Sequence, residues 1–68
     1  MYVVIEMQNG IIGSNTWVYA TRADAEVKFY QTLAEAVKSS ITCHTVMLCT
    51  GEGFMLDVKT YRHEESGE

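Results

Sequence analysis

Hydrophobic and polar residues follow two different periods along this chain. Short stretches rich in β-branched and aromatic residues predict four strands. These strands are expected at residues 2–8, 15–20, 41–50 and 54–62. Between the second and third strands, hydrophobic residues recur every three or four positions, which predicts one amphipathic helix over 22–39. Its inner side carries Ala25, Phe29, Leu33 and Ala36, with Val37 beside them. The pattern predicts an α+β fold of order ββαββ, an antiparallel four-stranded sheet with the helix packed on one face.

Turn and cap signals support these boundaries. The dipeptide Asn9-Gly10 is typical of a type I′ hairpin turn. The hydrophobic residues after it leave open a tight turn with a bulge at Gly13 or a longer loop. Thr21, three residues before Asp24, predicts the first turn of the helix. The segment 51–53 predicts a second hairpin turn.

The length of 68 residues allows one domain, which we place at 1–62, followed by a flexible polar tail at 63–68. A chain this short buries a smaller share of its surface than a larger domain does. Burial and conformational entropy then nearly cancel, and self-association is a usual remedy. We therefore expect a homo-oligomer, either a dimer or a larger assembly.

The strands are hydrophobic on both faces, although one helix can cover only one face. Alternation assigns to the helix side Val3, Ile5, Met7, Val18, Ala20, Val46, Leu48, Phe54, Leu56 and Val58. The opposite face then carries Tyr2, Val4, Glu6, Gln8, Trp17, Tyr19, Cys43, Thr45, Met47, Cys49, Met55, Asp57, Lys59 and Tyr61. Aromatic residues and methionines mixed with isolated polar groups are typical of interfaces. We expect a second copy to cover this face, with an oligomer interface of Tyr2, Val4, Met47, Met55 and the helical Tyr30.

Charge and composition limit the partners. A net charge of −4 argues against binding long DNA or RNA, although a small phosphate-bearing ligand needs only one or two local cations. No hydrophobic run approaches the ~20 residues of a membrane span, so we expect a cytoplasmic protein with no membrane partner. Cys43 and Cys49 lie about 20 Å apart if they share one strand. Such a distance prevents a disulfide between them. We therefore interpret both cysteines as small buried hydrophobic residues of a protein in a reducing compartment.

The candidate catalytic and metal-binding residues are few. Cys43 and His44 point to opposite faces of one strand, so they cannot share a metal ion, and we predict neither metal nor cofactor. Glu6 and Asp57 are a possible acid–base pair, but each is better explained by pairing with Lys59, a cation of another chain or water. Nothing holds a base against a serine or cysteine nucleophile. We therefore predict that the protein is not an enzyme.

Seven residues are candidates for binding a planar, anionic ligand. Aromatic rings stack on planar groups at low entropic cost, cations bind anionic groups, and histidine or carboxylate side chains provide hydrogen bonds. The predicted ligand-binding residues are Trp17, Tyr19 and Tyr61 for stacking, Arg22 and Lys59 for charge, and His44 and Glu6 for hydrogen bonding.

Nearly the whole chain resembles a group of short, mostly uncharacterised phage and prophage proteins of Gram-positive bacteria (Firmicutes). The matching stretches are YVVIEMQ at 2–8, AEVKFY at 25–30, LA at 33–34, SS at 39–40, HTVML at 44–48, EGF at 52–54 and YRHE at 61–64. The loop at 9–15 departs from the group, since it is shorter and more hydrophobic.

This resemblance implies a small accessory protein in the cytoplasm of an infected bacterial host. It also implies a function, a counter-defence sponge that sequesters a nucleotide-derived immune signal without cleaving it. The alternative is a protein–protein interaction module that either inhibits a host defence protein or serves as an accessory virion component.

Overall fold

The computed structural model describes residues 1–63, apart from the side chains at 13 and 14. Its elements in chain order are β1 (Tyr2–Gln8), β2 (Ile11–Tyr19), α1 (Arg22–Lys38), β3 (Cys43–Thr50) and β4 (Met55–Arg62). All neighbouring strands are antiparallel, in the order β2-β1-β3-β4. The predicted α+β class and the order ββαββ are confirmed.

The first hairpin uses the tight turn that the Asn9-Gly10 signal favours. Both residues have positive φ, 53° at Asn9 and 83° at Gly10, as a type I′ turn requires. Gln8 consequently pairs with Ile11, and β2 begins four residues earlier than predicted. Between the pairs Ile5–Thr16 and Met7–Ile12 the register shifts, so that residues 13–15 lie opposite Glu6 alone. This irregularity lengthens β2 relative to β1.

Helix α1 begins and ends with caps that the sequence provides. The side-chain oxygen of Thr21 accepts a hydrogen bond from the backbone N–H of Asp24 at 3.2 Å. At the other end, the backbone N–H of Ser39 donates to the carbonyl of Ala36 at 3.2 Å. Asp24 in the first turn and Lys38 in the last turn match the helix dipole. The predicted helix is confirmed to within one residue.

The hydrophobic core lies between α1 and the two central strands. It consists of five buried residues: Val4, Ala25, Phe29, Val46 and Leu48. Four partly buried residues pack against it: Tyr2 of β1, Trp17 and Tyr19 of β2, and Leu33 of α1. The core is small and lies on only one side of the sheet.

For three of the four strands, the helix covers the face opposite to the predicted one. Val4 and Glu6 of β1 are buried beneath α1, which leaves their neighbours Val3, Ile5 and Met7 on the other face. Directly paired residues of antiparallel strands share a face. The pairing therefore places on the helix side Trp17, Tyr19, Asp57, Lys59 and Tyr61, and on the other side Val18 and Val58.

The predicted face is right for β3, where Val46 and Leu48 are buried under the helix. It is wrong for most other positions because β1 is hydrophobic on both faces, and alternation alone cannot decide which face the helix covers. The other predicted core residues, Ala20, Phe54 and Leu56, are exposed.

No helix among residues 1–63 is both long enough and hydrophobic enough to cross a membrane.

Candidate functional site

The outer face of the sheet, which α1 leaves uncovered, carries hydrophobic residues from all four strands. We name it the open face, and the strand registers assign to it Val3, Ile5, Met7, Ile12, Thr16, Val18, Cys43, Thr45, Met47, Cys49, Met55, Val58, Thr60 and Arg62. None of these described residues has a carboxylate. Arg62, at the end of β4, is the charged residue among them. The open face is therefore hydrophobic and almost uncharged.

The centre of the open face lies on the two middle strands. Ile5 of β1 pairs directly with Met47 of β3. The hydrophobic surface continues to both edges of the sheet through the pairs Val3–Val18 and Met47–Val58, and the two outer valines are about half exposed. These residues form one continuous patch across the sheet, and hydrophobic patches of this kind are typical of interaction surfaces.

Both cysteines lie on the open face, at opposite ends of β3. Cys43 and Cys49 are half-buried and are not joined in a disulfide. Their separation along one strand agrees with the prediction that they do not bond to each other.

The five residues predicted to form an oligomer interface are divided between the surfaces of the molecule. Met47 and Met55 lie on the open face, and Tyr30 is exposed on the outer side of α1. Tyr2 and Val4 lie on the helix side, and Val4 is fully buried in the core. Val4 is therefore unavailable to a partner, and its assignment to the interface is wrong because the face of β1 was inverted.

A buried polar pair lies between the sheet and the helix. The Nδ1 atom of His44 is 2.7 Å from Oε2 of Glu6, and the two residues are 2% and 8% exposed. A carboxylate only accepts hydrogen bonds, so the histidine donates through Nδ1. The Nε2 atom of His44 has no hydrogen-bond partner among the described residues. The pair connects β1 to β3 within the core and leaves one polar atom unsatisfied.

His63 extends this polar region towards the end of the helix. Its Nε2 donates to the backbone carbonyl of Ala36 at 2.8 Å, and its backbone N–H donates to the carbonyl of Thr42 at 2.8 Å. Its ring contacts those of Tyr61 and His44 edge-on, with centroids 4.9 and 6.1 Å apart. His63 thus belongs to the folded domain, which corrects its assignment to the tail, because its ring satisfies a helix-terminal carbonyl. Residues 64–68 of the predicted tail lie outside the described residues.

Three of the predicted ligand-binding residues lie along the edge formed by β2 and the start of α1. Lys28 packs over the ring of Trp17 at 4.2 Å from its centroid, a cation–π contact. Tyr19 packs against the core. The Nε atom of Arg22 is 3.0 Å from a carboxylate oxygen of Glu26. Each of the three therefore already has a partner within the chain.

The other four predicted ligand-binding residues lie elsewhere on the helix side. Lys59 and Tyr61 belong to β4 at the far edge of the sheet, where Nζ of Lys59 is 4.0 Å from Oδ1 of Asp57. Glu6 and His44 are buried between the two edges. The structure therefore does not bring the seven residues together into one cavity within a single subunit.

A shallow pocket of about 420 Å³ is lined by Met1, Tyr2, Thr50, Gly51 and Glu52. It contains none of the seven predicted ligand-binding residues. Among residues 1–63, no three His, Cys, Asp or Glu side chains are placed to hold a metal ion.

Sequence reasoning missed the Glu6–His44 contact and the outer position of Ile5 and Val18. The available signal was a lone carboxylate and a lone histidine, each within an otherwise hydrophobic strand. Two such residues are expected to pair when buried, since an unpaired charge in a core is costly. Recognising this pairing would have placed both side chains under the helix and Ile5 on the open face.

Comparison with known proteins finds no match, whether to a protein-family model, a curated protein or a solved structure. The function must therefore be argued from the surfaces of the molecule.

Proposed function

We propose that this protein is a non-enzymatic binding module that works as a homo-oligomer, with the open faces of two copies packed against each other. The observation that carries the proposal is the continuous hydrophobic, nearly uncharged face of a sheet; the one helix of residues 1–63 lies on the other side.

The size of the core supports self-association. Among the described residues few hydrophobic side chains are buried, while eleven large ones are exposed: Met1, Ile11, Ile12, Val18, Val27, Tyr30, Val37, Phe54, Met55, Leu56 and Val58. Packing a second sheet against the open face buries several of these and doubles the number of hydrophobic layers. Each buried methylene contributes about 0.8 kcal/mol, so the gain is large for a domain of this length.

The dimensions and charge of the open face fit a second copy. Four strands spaced 4.8 Å apart and about eight residues long span about 19 by 26 Å, so that pairing two faces removes about 1,000 Å² from solvent. That area reaches the minimum of about 1,000 Å² that a biological interface is expected to bury. A two-fold contact places identical residues against one another, and a face with no carboxylates among its described residues creates little like-charge repulsion there.

The position of the Glu6–His44 pair supports a non-enzymatic function. A carboxylate and an imidazole in contact are the usual parts of a general acid–base site. Here both lie beneath the helix, nearly inaccessible to a substrate. The pair is better suited to fixing the register of β1 and β3 than to chemistry.

Substitution at the centre of the open face tests the proposal. Met47→Lys places a charge at the middle of the predicted contact, and we expect native mass spectrometry to show a dissociated assembly. Val18→Lys, at a position that is about half exposed in the single chain, is expected to act in the same direction with less risk to the fold. Ser40→Lys adds the same charge in the exposed loop before β3 and is the matched control.

A natural chain that is monomeric would overturn the proposal. An assembly that both open-face lysines leave intact would do so as well, provided that circular dichroism shows the variants to be folded.

The sequestration of a nucleotide-derived signal, and the phage origin, rest on the resemblance alone. Native mass spectrometry of protein purified from infected or defence-active cells, recorded intact and after denaturation, tests the ligand. An oligomer that releases a nucleotide-like mass would support a sponge. A stoichiometric complex with a host protein would favour the interaction module instead.

A further inference from the structure

Helix α1 has a second hydrophobic stripe, on the side that faces away from the sheet. The buried residues of the helix are Ala25, Phe29, Thr32 and Ala36. A separate set recurs at alternating spacings of four and three on the opposite side, and we name it the outer seam: Ala23, Val27, Tyr30, Ala34 and Val37. All five are exposed, and the three large ones are more than half exposed.

The spacing of the outer seam is that of a helix that packs along another helix. Hydrophobic residues at alternating intervals of three and four form the a and d positions of a heptad. From its first to its last residue the seam rises by 14 positions, which is about 21 Å at 1.5 Å per residue. A helix that only covered its own sheet would have no need of a second stripe, so the outer seam indicates a partner helix.

The charges beside the outer seam specify the direction of that partner. Asp24, Gln31 and Lys38 follow one side of the seam at intervals of seven residues. None of the ion pairs among the described residues involves Asp24 or Lys38. In an antiparallel pair of identical helices, Asp24 of each copy meets Lys38 of the other, and Gln31 meets its own copy. The complementary charges select an antiparallel second copy.

The sizes of the seam residues agree with the same arrangement. When Asp24 meets Lys38, the heptad places Tyr30 against Ala34 of the other copy, and Val27 against Val37. A large residue opposite a small one lets two helices approach to the usual 8–10 Å. The ring of Tyr30 is already held edge-on by Phe29, with centroids 5.1 Å apart.

We infer that α1 pairs with α1 of another copy through the outer seam, in an antiparallel two-fold contact. This surface is separate from the open face, so the inference does not depend on the proposed function. If both contacts form, each subunit has two different two-fold partners. A closed assembly of this kind has an even number of subunits, at least four.

The variant Val27→Glu places a charge in the outer seam. Native mass spectrometry of this variant at several protein concentrations tests the inference. Glutamate has a higher helix propensity than valine, so the helix is expected to be retained. The natural chain is expected to form the larger even-numbered assembly. Val27→Glu is expected to form a dimer through the open face, and Met47→Lys is expected to form a dimer through the outer seam. Ser40→Glu, with the same added charge outside the helix, is expected to behave as the natural chain.

Charge reversal provides a second test that a purely structural effect cannot imitate. Lys38→Glu is expected to weaken the assembly, because the new carboxylate meets Asp24 of the other copy. Asp24→Lys combined with Lys38→Glu is expected to restore it. In an isolated helix this double variant lowers helix stability, because it places a cation at the N-terminus and an anion at the C-terminus, against the helix dipole. Restoration can therefore come only from contact between helices.

The results distinguish the contact through the open face from the contact through the outer seam. A natural chain that is a dimer, dissociated by Met47→Lys and unaffected by Val27→Glu, would overturn the seam and retain the proposed function. A dimer dissociated by Val27→Glu alone would retain the seam and overturn the proposed function. An assembly of unchanged mass in both Val27→Glu and Lys38→Glu would overturn the seam.

Discussion

Among single residues, Glu6 and His44 restrict most strongly how β1 and β3 can pair within the core. Both are nearly inaccessible to solvent, they are joined by a 2.7 Å hydrogen bond, and the second ring nitrogen of the histidine has no partner among the described residues. A buried polar pair of this kind contributes little net stability, yet removing one partner leaves the other uncompensated. The pair thus penalises any register of β1 against β3 that separates the two side chains.

We predict that His44→Leu lowers the free energy of unfolding by about 3–5 kcal/mol, because it leaves the Glu6 carboxylate buried and unpaired. The double variant Glu6→Met with His44→Leu is expected to recover most of this loss, since both polar groups are then removed. Urea unfolding at one fixed protein concentration measures both. Equal stability of the single and double variants would contradict the prediction.

Among the elements, helix α1 has two hydrophobic stripes, one against the sheet and one exposed. Its start depends on a local contact, the Thr21 cap, whereas its end combines the local backbone bond of Ser39 with a long-range hydrogen bond from the ring of His63. The inner stripe alone positions the helix over β1 and β3. The outer stripe adds nothing to the single chain, which is why we relate it to another copy.

Thr21→Ala is expected to destabilise the protein by about 1 kcal/mol, because the N–H of Asp24 loses its side-chain acceptor. Thr21→Ser keeps an oxygen in the same position and is expected to remain close to the natural chain. Thermal unfolding followed by circular dichroism measures the difference. A loss of the same size in both variants would show that the threonine methyl group, and not the cap, is responsible.

At the scale of the whole molecule, a one-sided core and an uncovered sheet lead us to predict that stability depends on association. A partner that binds only the folded chain stabilises it by mass action. Sixty-eight residues with few buried hydrophobic side chains leave a narrow margin for the single subunit. Folding and assembly are therefore expected to be coupled.

The melting temperature of the natural chain is consequently predicted to rise with protein concentration. Scanning calorimetry over a hundredfold range of concentration measures this rise. The combined variant Met47→Lys with Val27→Glu, which blocks both surfaces, is expected to melt at a lower temperature that no longer depends on concentration. A melting temperature of the natural chain that stays constant over the range would contradict coupled folding and assembly.

Local signals in the sequence determined the elements of this protein. The Asn9-Gly10 turn, the Thr21 cap and the helical recurrence of Ala25 and Phe29 depend on neighbours along the chain, and such short-range physics can be deduced from residue order. The order ββαββ and the α+β class followed from these elements. The spacing of the outer seam is likewise present in the sequence. Tyr30 was assigned there to an interface, whereas Val37 was wrongly placed beside the inner stripe and is exposed.

Only the tertiary structure decided which face of each strand the helix covers. Val3, Val4 and Ile5 of β1 are all hydrophobic, so alternation offers two equivalent solutions. The choice depends on contacts between distant segments, above all Glu6 with His44, whose pairing requires the register of two strands 38 residues apart. The same choice moved Ile5 to the open face, and the strand order put Trp17 and Tyr61 at opposite edges of the sheet. A surface made of four strands is fixed by their registers, and those registers come from packing.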